Sequence, residues 1–252
     1  MDENHNPTMR VLSVLDLVAS RPDGYKLSEI SRHLNIPLGT VSPIVKTLKN
    51  QKFLSYDEEQ QTYVLGIKIF EIGSRYTQNS KSYEGIIEIM TEILKKCGET
   101  VHFGVLDGGE VLYLAKVDSN EPIRMFSAVG KRLPAYGTGI GKSLLSDRSM
   151  EELHGLYPDG LKALTAYTIT DFGELYRQLQ CVRESSFSYE CEESNELIRC
   201  IGMPIYKNSR VAAAVSVSVP TFRYSKEKQE LIERVLAEYG PYITQSVALM
   251  NL

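Results

Sequence analysis

The apolar residues of this 252-residue chain recur at helical spacing through most of its first hundred positions and switch to alternation from Glu99 onward. A period of 3.6 and a period of 2 cannot substitute for one another, so the switch separates a mainly helical N-terminal part from a strand-rich C-terminal part. At this length two domains, each with its own core, are accommodated. The composition, 42% apolar and 24% charged, is that of a globular protein and excludes collagen-like, disordered and disulfide-dense classes.

Charge follows the same division. The total is −4, yet residues 8 to 56 hold seven basic and three acidic side chains, a net +4, whereas residues 57 to 252 carry −6. A basic excess confined to one short segment is what a small module facing a polyanion requires. The first residues are polar and acidic, without the basic start and apolar run of a secretory signal. The longest apolar run, Val211 to Val219, is interrupted by Ser216 and Ser218 and is too short for a membrane span. A cytoplasmic protein with no membrane partner is expected. Cys97, Cys181, Cys191 and Cys200 lack CxxC spacing and are expected to be free thiols.

Met9, Leu12, Val14, Leu15, Leu17 and Val18 predict a first helix over 8–20, stopped by Arg21-Pro22-Asp23-Gly24. Ser28, an N-cap or first-turn residue, opens a second helix of about two turns that carries Ile30 and Leu34, and Asn35-Ile36-Pro37 makes a turn. Val41, Ile44, Val45 and Leu48 form a third stripe, leaving Leu38, Thr40, Ser42, Lys46 and Lys49 facing outward. Short hydroxyl side chains at the start of a helix and lysines further along suit a recognition helix: the former reach base edges, the latter phosphates. Phe53, Leu54 and Tyr56, an acidic tip at residues 57–61, and Tyr63-Val64-Leu65 predict a hairpin wing. The alternative is a three-helix packing module that touches only protein.

The run Leu27-Ser28-Glu29-Ile30-Ser31-Arg32-His33-Leu34-Asn35-Ile36-Pro37-Leu38-Gly39-Thr40-Val41, with Thr47-Leu48, the wing and Tyr63-Val64-Leu65-Gly66, resembles the winged helix-turn-helix of IclR-type bacterial transcription regulators. The resemblance continues to Pro220 and beyond. It implies double-stranded operator DNA as partner, with Ser28, Arg32, Leu38, Gly39, Thr40, Ser42, Lys46 and Lys49 on the DNA side. Pro43 stands where this family commonly has arginine. Proline lacks the backbone donor and is tolerated near a helix start, so the third helix is expected to begin at Gly39 or Thr40.

Residues 66–80 and the stretch from Tyr83 to Leu94 both show helical spacing. The expected organisation is a winged helix-turn-helix over 1–65, a linker helix over 66–80 and a sensor domain over 81–252. Apolar residues on the linker serve either self-association or packing within one subunit. The resemblance implies a homodimer or tetramer.

Beyond Glu99 the spacing predicts strands at Val101–Leu106, Val111–Val117, Ile123–Val129, Phe187–Cys191, Cys200–Tyr206 and Val211–Val219. Helices are predicted over 139–156, 171–184 and 226–250. Hairpins interrupted by helices give an α+β class with an antiparallel sheet, and the resemblance implies a GAF-like antiparallel α/β sensor domain.

Three features point to a small organic acid as effector. In Val211–Val219 the valines face one way while Ala212, Ala214, Ser216 and Ser218 face the other, leaving space and hydroxyls for a pocket floor. The alternative is close helix packing over that small-residue face. Gly137, Gly139 and Gly141 lead into a helix, where backbone N–H groups can converge on an anion. Gly137-x3-Gly141-Lys142-Ser143 is one residue short of a Walker A motif and lacks its parallel-strand context, so nucleotide hydrolysis is not expected. The third feature is Tyr189-Glu190-Cys191-Glu192-Glu193 followed by Leu197 to Ile205, similar to the family's acidic loop and Cys-containing strand. Family loops usually carry Asp near Glu190 and Gly near Leu197. The resemblance implies pocket roles for Leu133, Gly139, Ile140, Glu190, Ile198, Cys200, Ser216 and Ser218.

Two other readings compete. Cys191 and Cys200 could form a thiol redox sensor, or Cys200 or Cys191 could act as nucleophile with His102 or His154 as base, although four histidines in no Cys/His signature favour a buried structural cysteine. No spacing calls for a metal site or a cofactor.

Overall fold

A computed structural model describes residues 5–78, 81–119 and 127–250. The chain divides into two compact units, residues 1–79 and 80–252.

The first unit opens with helices α1 (Asn6–Ala19), α2 (Leu27–His33) and α3 (Leu38–Asn50). Their inward stripes, with Val14, Val18, Ile30, Val41, Val45 and Leu48, form one small core closed by Leu54. Strands β1 (Leu54–Asp57) and β2 (Thr62–Leu65) make the antiparallel wing hairpin, and Tyr25 adds a bridge to Tyr63 that the sequence pattern did not suggest. Ser28 lies in the first turn of α2; Lys26 is the N-cap, and its backbone N–H donates to the Glu29 carboxylate at 2.8 Å. The recognition helix begins at Leu38, capped by Pro37, so Pro43 lies inside it and not at its start. The early turn forms because Thr40 and Val41 already donate to the Pro37 carbonyl, which fixes the first turn before Pro43 is reached. Without an N–H at position 43, the Gly39 carbonyl loses its usual i+4 donor.

Helix α4 (Ile67–Gln78) belongs to the first unit and exposes Ile67, Phe70 and Ile72, with Phe70 72% accessible.

The second unit contains α5 (Lys81–Cys97), β3 (Thr100–Asp107), β4 (Glu110–Val117), β5 (Arg132–Pro134), α6 (Gly139–Leu145), α7 (Met150–Leu156), α8 (Phe172–Ser185), β6 (Ser188–Cys191), β7 (Ile198–Lys207), β8 (Arg210–Pro220) and α9 (Lys226–Ala248). Its strands form one antiparallel sheet in the order β5-β4-β3-β8-β7-β6. Val215, Val217 and Val219 pack with α5 and α9 in one core, while Ala214 lies in the other core with Ile140, Leu144, Leu153, Leu175 and Leu179 of α6, α7 and α8.

Three expectations change. The helix predicted over 139–156 is two helices, because Ser149 starts a new one with a capping box: its hydroxyl accepts from Glu152 N at 3.1 Å and its N–H donates to the Glu152 carboxylate at 2.7 Å. The β8 alternation breaks at its start, since the register jumps from Ile205↔Ala213 to Tyr206↔Val211 and leaves Ala212 unpaired. This bulge turns Val211 into the core of α6–α8 and away from the face of Val215. Strand β5 was not anticipated, being only three residues ending in proline. Of the strand predicted over Ile123–Val129, residues 123–126 lie outside the described residues and 127–129 are not strand.

Candidate DNA interface and ligand pocket

The burial of Val41, Val45 and Leu48 fixes the rotation of α3, and the opposite face presents Leu38, Gly39, Ser42, Pro43, Lys46 and Lys49 to solvent with Thr40 at its margin. Ser28 and Arg32 are exposed on α2. Lys49 is not extended freely: its Nζ lies 5.0 Å from the centre of the Tyr56 ring on the wing, a cation–π contact. Thr47 Oγ1 donates to the Pro43 carbonyl at 2.8 Å, tying the proline turn to the next. The face therefore combines short polar groups near the helix start with cations further along.

In the second unit, sheet register builds the pocket floor. Glu190, Cys200, Ser218 and Thr100 are successive cross-strand partners on β6, β7, β8 and β3; Ser188, Gly202, Ser216 and His102 make the adjacent row. Two rows of small and polar side chains thus share one face of the sheet. Helix α6 comes down onto this face because glycines permit contact: a Cβ on Gly139 would stand 2.7 Å from Cys200 Cβ, and one on Gly202 would stand 2.8 Å from the Gly139 carbonyl oxygen. Ser188 Oγ donates to that same carbonyl at 2.6 Å. Thr138 caps α6, its Oγ1 accepting from Gly141 N at 3.0 Å, which satisfies one of the N–H groups expected to face an anion.

Leu133, Gly139, Ile140, Ile198, Cys200, Ser216 and Ser218 line one small cavity of about 30 Å³. Glu190, the eighth residue assigned to the pocket, is buried beside Cys200; its Oε1 accepts from the N–H groups of Glu193 at 2.5 Å and Ser194 at 3.1 Å. The cavity is also lined by His102, Tyr113, Ser127, Thr138, Ser194 and Asn195. Sequence reasoning missed these because they come from separate strands and loops. The one available signal was His102 on the strand that pairs with β8.

Electrostatically the lining is neutral. Burial, aided by nearby Lys116, pushes the His102 imidazole down to about 3, so the ring is uncharged; Nε2 lies 2.7 Å from Ser127 Oγ and Nδ1 3.4 Å from Ser218 Oγ. Burial raises the Glu190 carboxyl to about 7 against the pull of its donors. Burial and the Glu190 charge push the Cys200 thiol well above its ordinary value, and its sulfur sits 3.1 Å from Ser218 Oγ. Among the described lining residues there is no Lys or Arg.

This geometry opposes both thiol readings. A protonated, buried Cys200 beside a histidine that cannot accept a proton near neutrality has neither thiolate nor base. His154 is packed on Phe172, ring centres 4.1 Å apart, on α7 and α8. Glu190, not Cys191, is the partner of Cys200; Cys191 projects to the opposite face of β6, so a Cys191–Cys200 bridge would require the strand to turn over. The near-Walker lysine, Lys142, is buried against the Glu193 carboxylate and is not presented to a phosphate.

A winged helix-turn-helix, followed in the same chain by an α/β unit enclosing a neutral polar pocket, defines a DNA-binding regulator with a sensor domain. Residues 7–58 match the IclR helix-turn-helix domain, and residues 75–239 match the family described as bacterial transcriptional regulator IclR C-terminal. The HTH-type transcriptional regulator KdgR of Escherichia coli is 32% identical over 233 residues, covering 90% of this chain and 88% of that protein. XynR of the same organism is 30% identical over 241 residues, covering 94% and 95%. Among solved structures, the Thermotoga maritima IclR aligns with a TM-score of 0.73 at 29% identity, covering 96% of this chain and 99% of that one. The chain belongs to the IclR family of bacterial transcription regulators. The family consists of regulators and not enzymes, in agreement with the buried, protonated thiol of Cys200. Among the described residues no helix is long and apolar enough to cross a membrane.

Proposed function

We propose that this cytoplasmic regulator binds operator DNA as a homodimer, or a tetramer built from dimers, to control a catabolic operon, and that a small organic acid in the pocket of the second unit modulates that binding. The DNA contacts on this reading are Ser28, Arg32, Leu38, Gly39, Thr40, Ser42, Lys46 and Lys49. Self-association is supported by Ile67 and Phe70, exposed side by side one turn apart on α4 among the described residues, with Ile72 exposed on another face of the helix. Two copies would present two recognition helices about one DNA turn apart.

The observation that carries the effector assignment is the meeting of Leu133, Gly139, Ile140, Ile198, Cys200, Ser216 and Ser218, distant in sequence, around one cavity, with Glu190 behind Cys200. The acid would be held by neutral donors, hydroxyls of Ser216 and Ser218 among them, and an additional hydroxyl on the ligand could meet Glu190. The space of about 30 Å³ is far below the ~300 Å³ at the low end of ordinary ligand pockets, so this conformation is the closed one. Regulation follows if the acid favours an opened conformation whose DNA affinity differs.

A thermal-shift screen of sugar acids, keto acids and aromatic acids, followed by operator binding with the best hit, tests this. The Ser216→Ala, Ser218→Ala double variant is expected to keep DNA binding and lose the response. A double variant that responds like the wild type overturns the pocket assignment.

A further inference from the structure

The lysine of the near-Walker run points inward. Lys142 is 1% exposed, and its Nζ donates to Gln178 Oε1 at 2.8 Å, to the Tyr189 carbonyl at 3.4 Å and to the Glu193 carboxylate. Glu193 is itself only 5% exposed. A buried ion pair gives little net stability relative to apolar residues of the same volume. Its presence between α6 and the loop joining β6 to β7 therefore calls for a role other than stabilisation.

Both ends of the pair adjoin the pocket. Gly139 and Ile140, one turn before Lys142, line it, as do Ser194 and Asn195, immediately after Glu193. Most of the other walls are held by strand ladders or by helix hydrogen bonds; Ser127, outside any element, is held by His102 Nε2 at 2.7 Å and by Lys116 Nζ on its carbonyl at 2.9 Å. The loop 192–197 is held largely by side chains: Thr165 Oγ1 donates to the Glu192 carbonyl and Thr168 Oγ1 to the Glu193 carbonyl, each at 2.7 Å, and Glu190 takes the Glu193 and Ser194 N–H groups. Two of its residues, Glu192 and Leu197, sit at left-handed φ of 59° and 65°, which non-glycine residues seldom adopt without external restraint. A pocket of about 30 Å³ admits an organic acid only when a wall moves. Between its two anchoring backbone bonds, Glu192 N–H to the Ile198 carbonyl and Thr221 N–H to the Leu197 carbonyl, the loop 192–197 is fastened by side chains, so it can move without breaking a strand ladder or a helix.

We propose that the loop 192–197 is the gate of this pocket and that the Lys142–Glu193 pair is its latch, which makes Lys142 a positioning residue for ligand entry. The inference rests on the pocket being the effector site, but the gate can be tested without any effector. Cys200 lies in the pocket wall behind the loop, whereas Cys97 is buried in the core between the sheet and α5 and α9. Iodoacetamide labelling of the full-length protein, followed by peptide mass spectrometry, reads the two thiols separately in one sample.

The Lys142→Met, Glu193→Gln double variant replaces the ion pair without leaving a lone buried charge. It is expected to raise the Cys200 labelling rate at least tenfold while Cys97 stays at its wild-type rate. The Thr165→Val, Thr168→Val double variant frees the loop from the other side with the ion pair intact, and the same selective increase is expected. An unchanged Cys200 rate in both, or a rise of both thiols by the same factor, overturns the gate. Selective Cys200 labelling in a protein whose Ser216→Ala, Ser218→Ala form still answers its effector would keep the gate and discard the effector assignment, so the two failures are distinguishable.

Discussion

Glu190 and Cys200 face each other across the β6–β7 ladder, both buried, with the carboxyl of one against the thiol of the other. The Glu190 charge disfavours ionisation of the thiol, whereas the thiol's hydrogen bond favours the carboxylate and burial opposes it, so Cys200 stays protonated while Glu190 titrates at about 7.

The first prediction follows from the raised Glu190 carboxyl. Its value moves from 4.5 to about 7, chiefly through burial. The folded chain holds this proton more tightly than the unfolded one, so the contribution to stability is complete below about pH 4.5 and is lost as pH rises through about 7. Glu190→Gln, which still offers an oxygen to the Glu193 and Ser194 N–H groups, is expected to flatten the pH dependence between pH 5 and 8. At pH 8 it should gain on the order of 3 kcal/mol over the wild type. Urea unfolding followed by circular dichroism at both pH values measures this, and parallel profiles for the two proteins would contradict it.

Pro43 interrupts the recognition helix at an exposed position. Arginine there restores a backbone donor to the Gly39 carbonyl and adds a cation on the outward face. Pro43→Arg is expected to bind DNA more tightly, with the slope of log K against log salt steeper by about 1. Fluorescence anisotropy across a salt series provides the slope, and an unaltered slope would place residue 43 away from the phosphates.

Gly139 carries α6 onto β7, and a methyl group there would press on Cys200. Gly139→Ala is expected to destabilise the second unit by about 1–3 kcal/mol through overpacking. Gly155→Ala on α7, where a Cβ meets nothing within 4 Å, should be neutral or stabilising by at most about 1 kcal/mol. Thermal unfolding of both variants distinguishes the two positions; equal melting temperatures would refute the close approach of α6 to β7.

Phe70 is the most exposed apolar side chain of α4 among the described residues. If the Ile67–Phe70 patch pairs two chains, Phe70→Asp shifts the protein toward monomer at micromolar concentration and weakens binding to a two-site operator while the folded content stays constant. Sedimentation velocity reads the mass directly, and an unshifted distribution would exclude α4 from the interface.

The helix-turn-helix, the wing and most strands could be read from the sequence because the signals behind them are local. Val41, Val45 and Leu48 recur within one helix, Arg21-Pro22-Asp23-Gly24 ends another, and the hydroxyls of Ser216 and Ser218 fall on one face of one strand. Each depends on residues only a few positions apart, so periodicity and turn chemistry suffice. Seven of the eight residues named from family likeness line one cavity and Glu190 lies beside Cys200, an arrangement drawn from the resemblance and not from local pattern.

Other features depend on long-range contacts that no local pattern encodes. The bulge that turns Val211 to the other core is set by its pairing with Tyr206, and the separation of Cys191 from Cys200 by the register of β6 on β7. His102 joins Ser218 across 116 positions, and Lys142 finds Glu193 across 51. A lysine after a glycine run has the same local appearance whether it faces a phosphate or a carboxylate. Only the packing of α6 against the loop 192–197 decides between them, because burial removes the water that would otherwise solvate each charge separately.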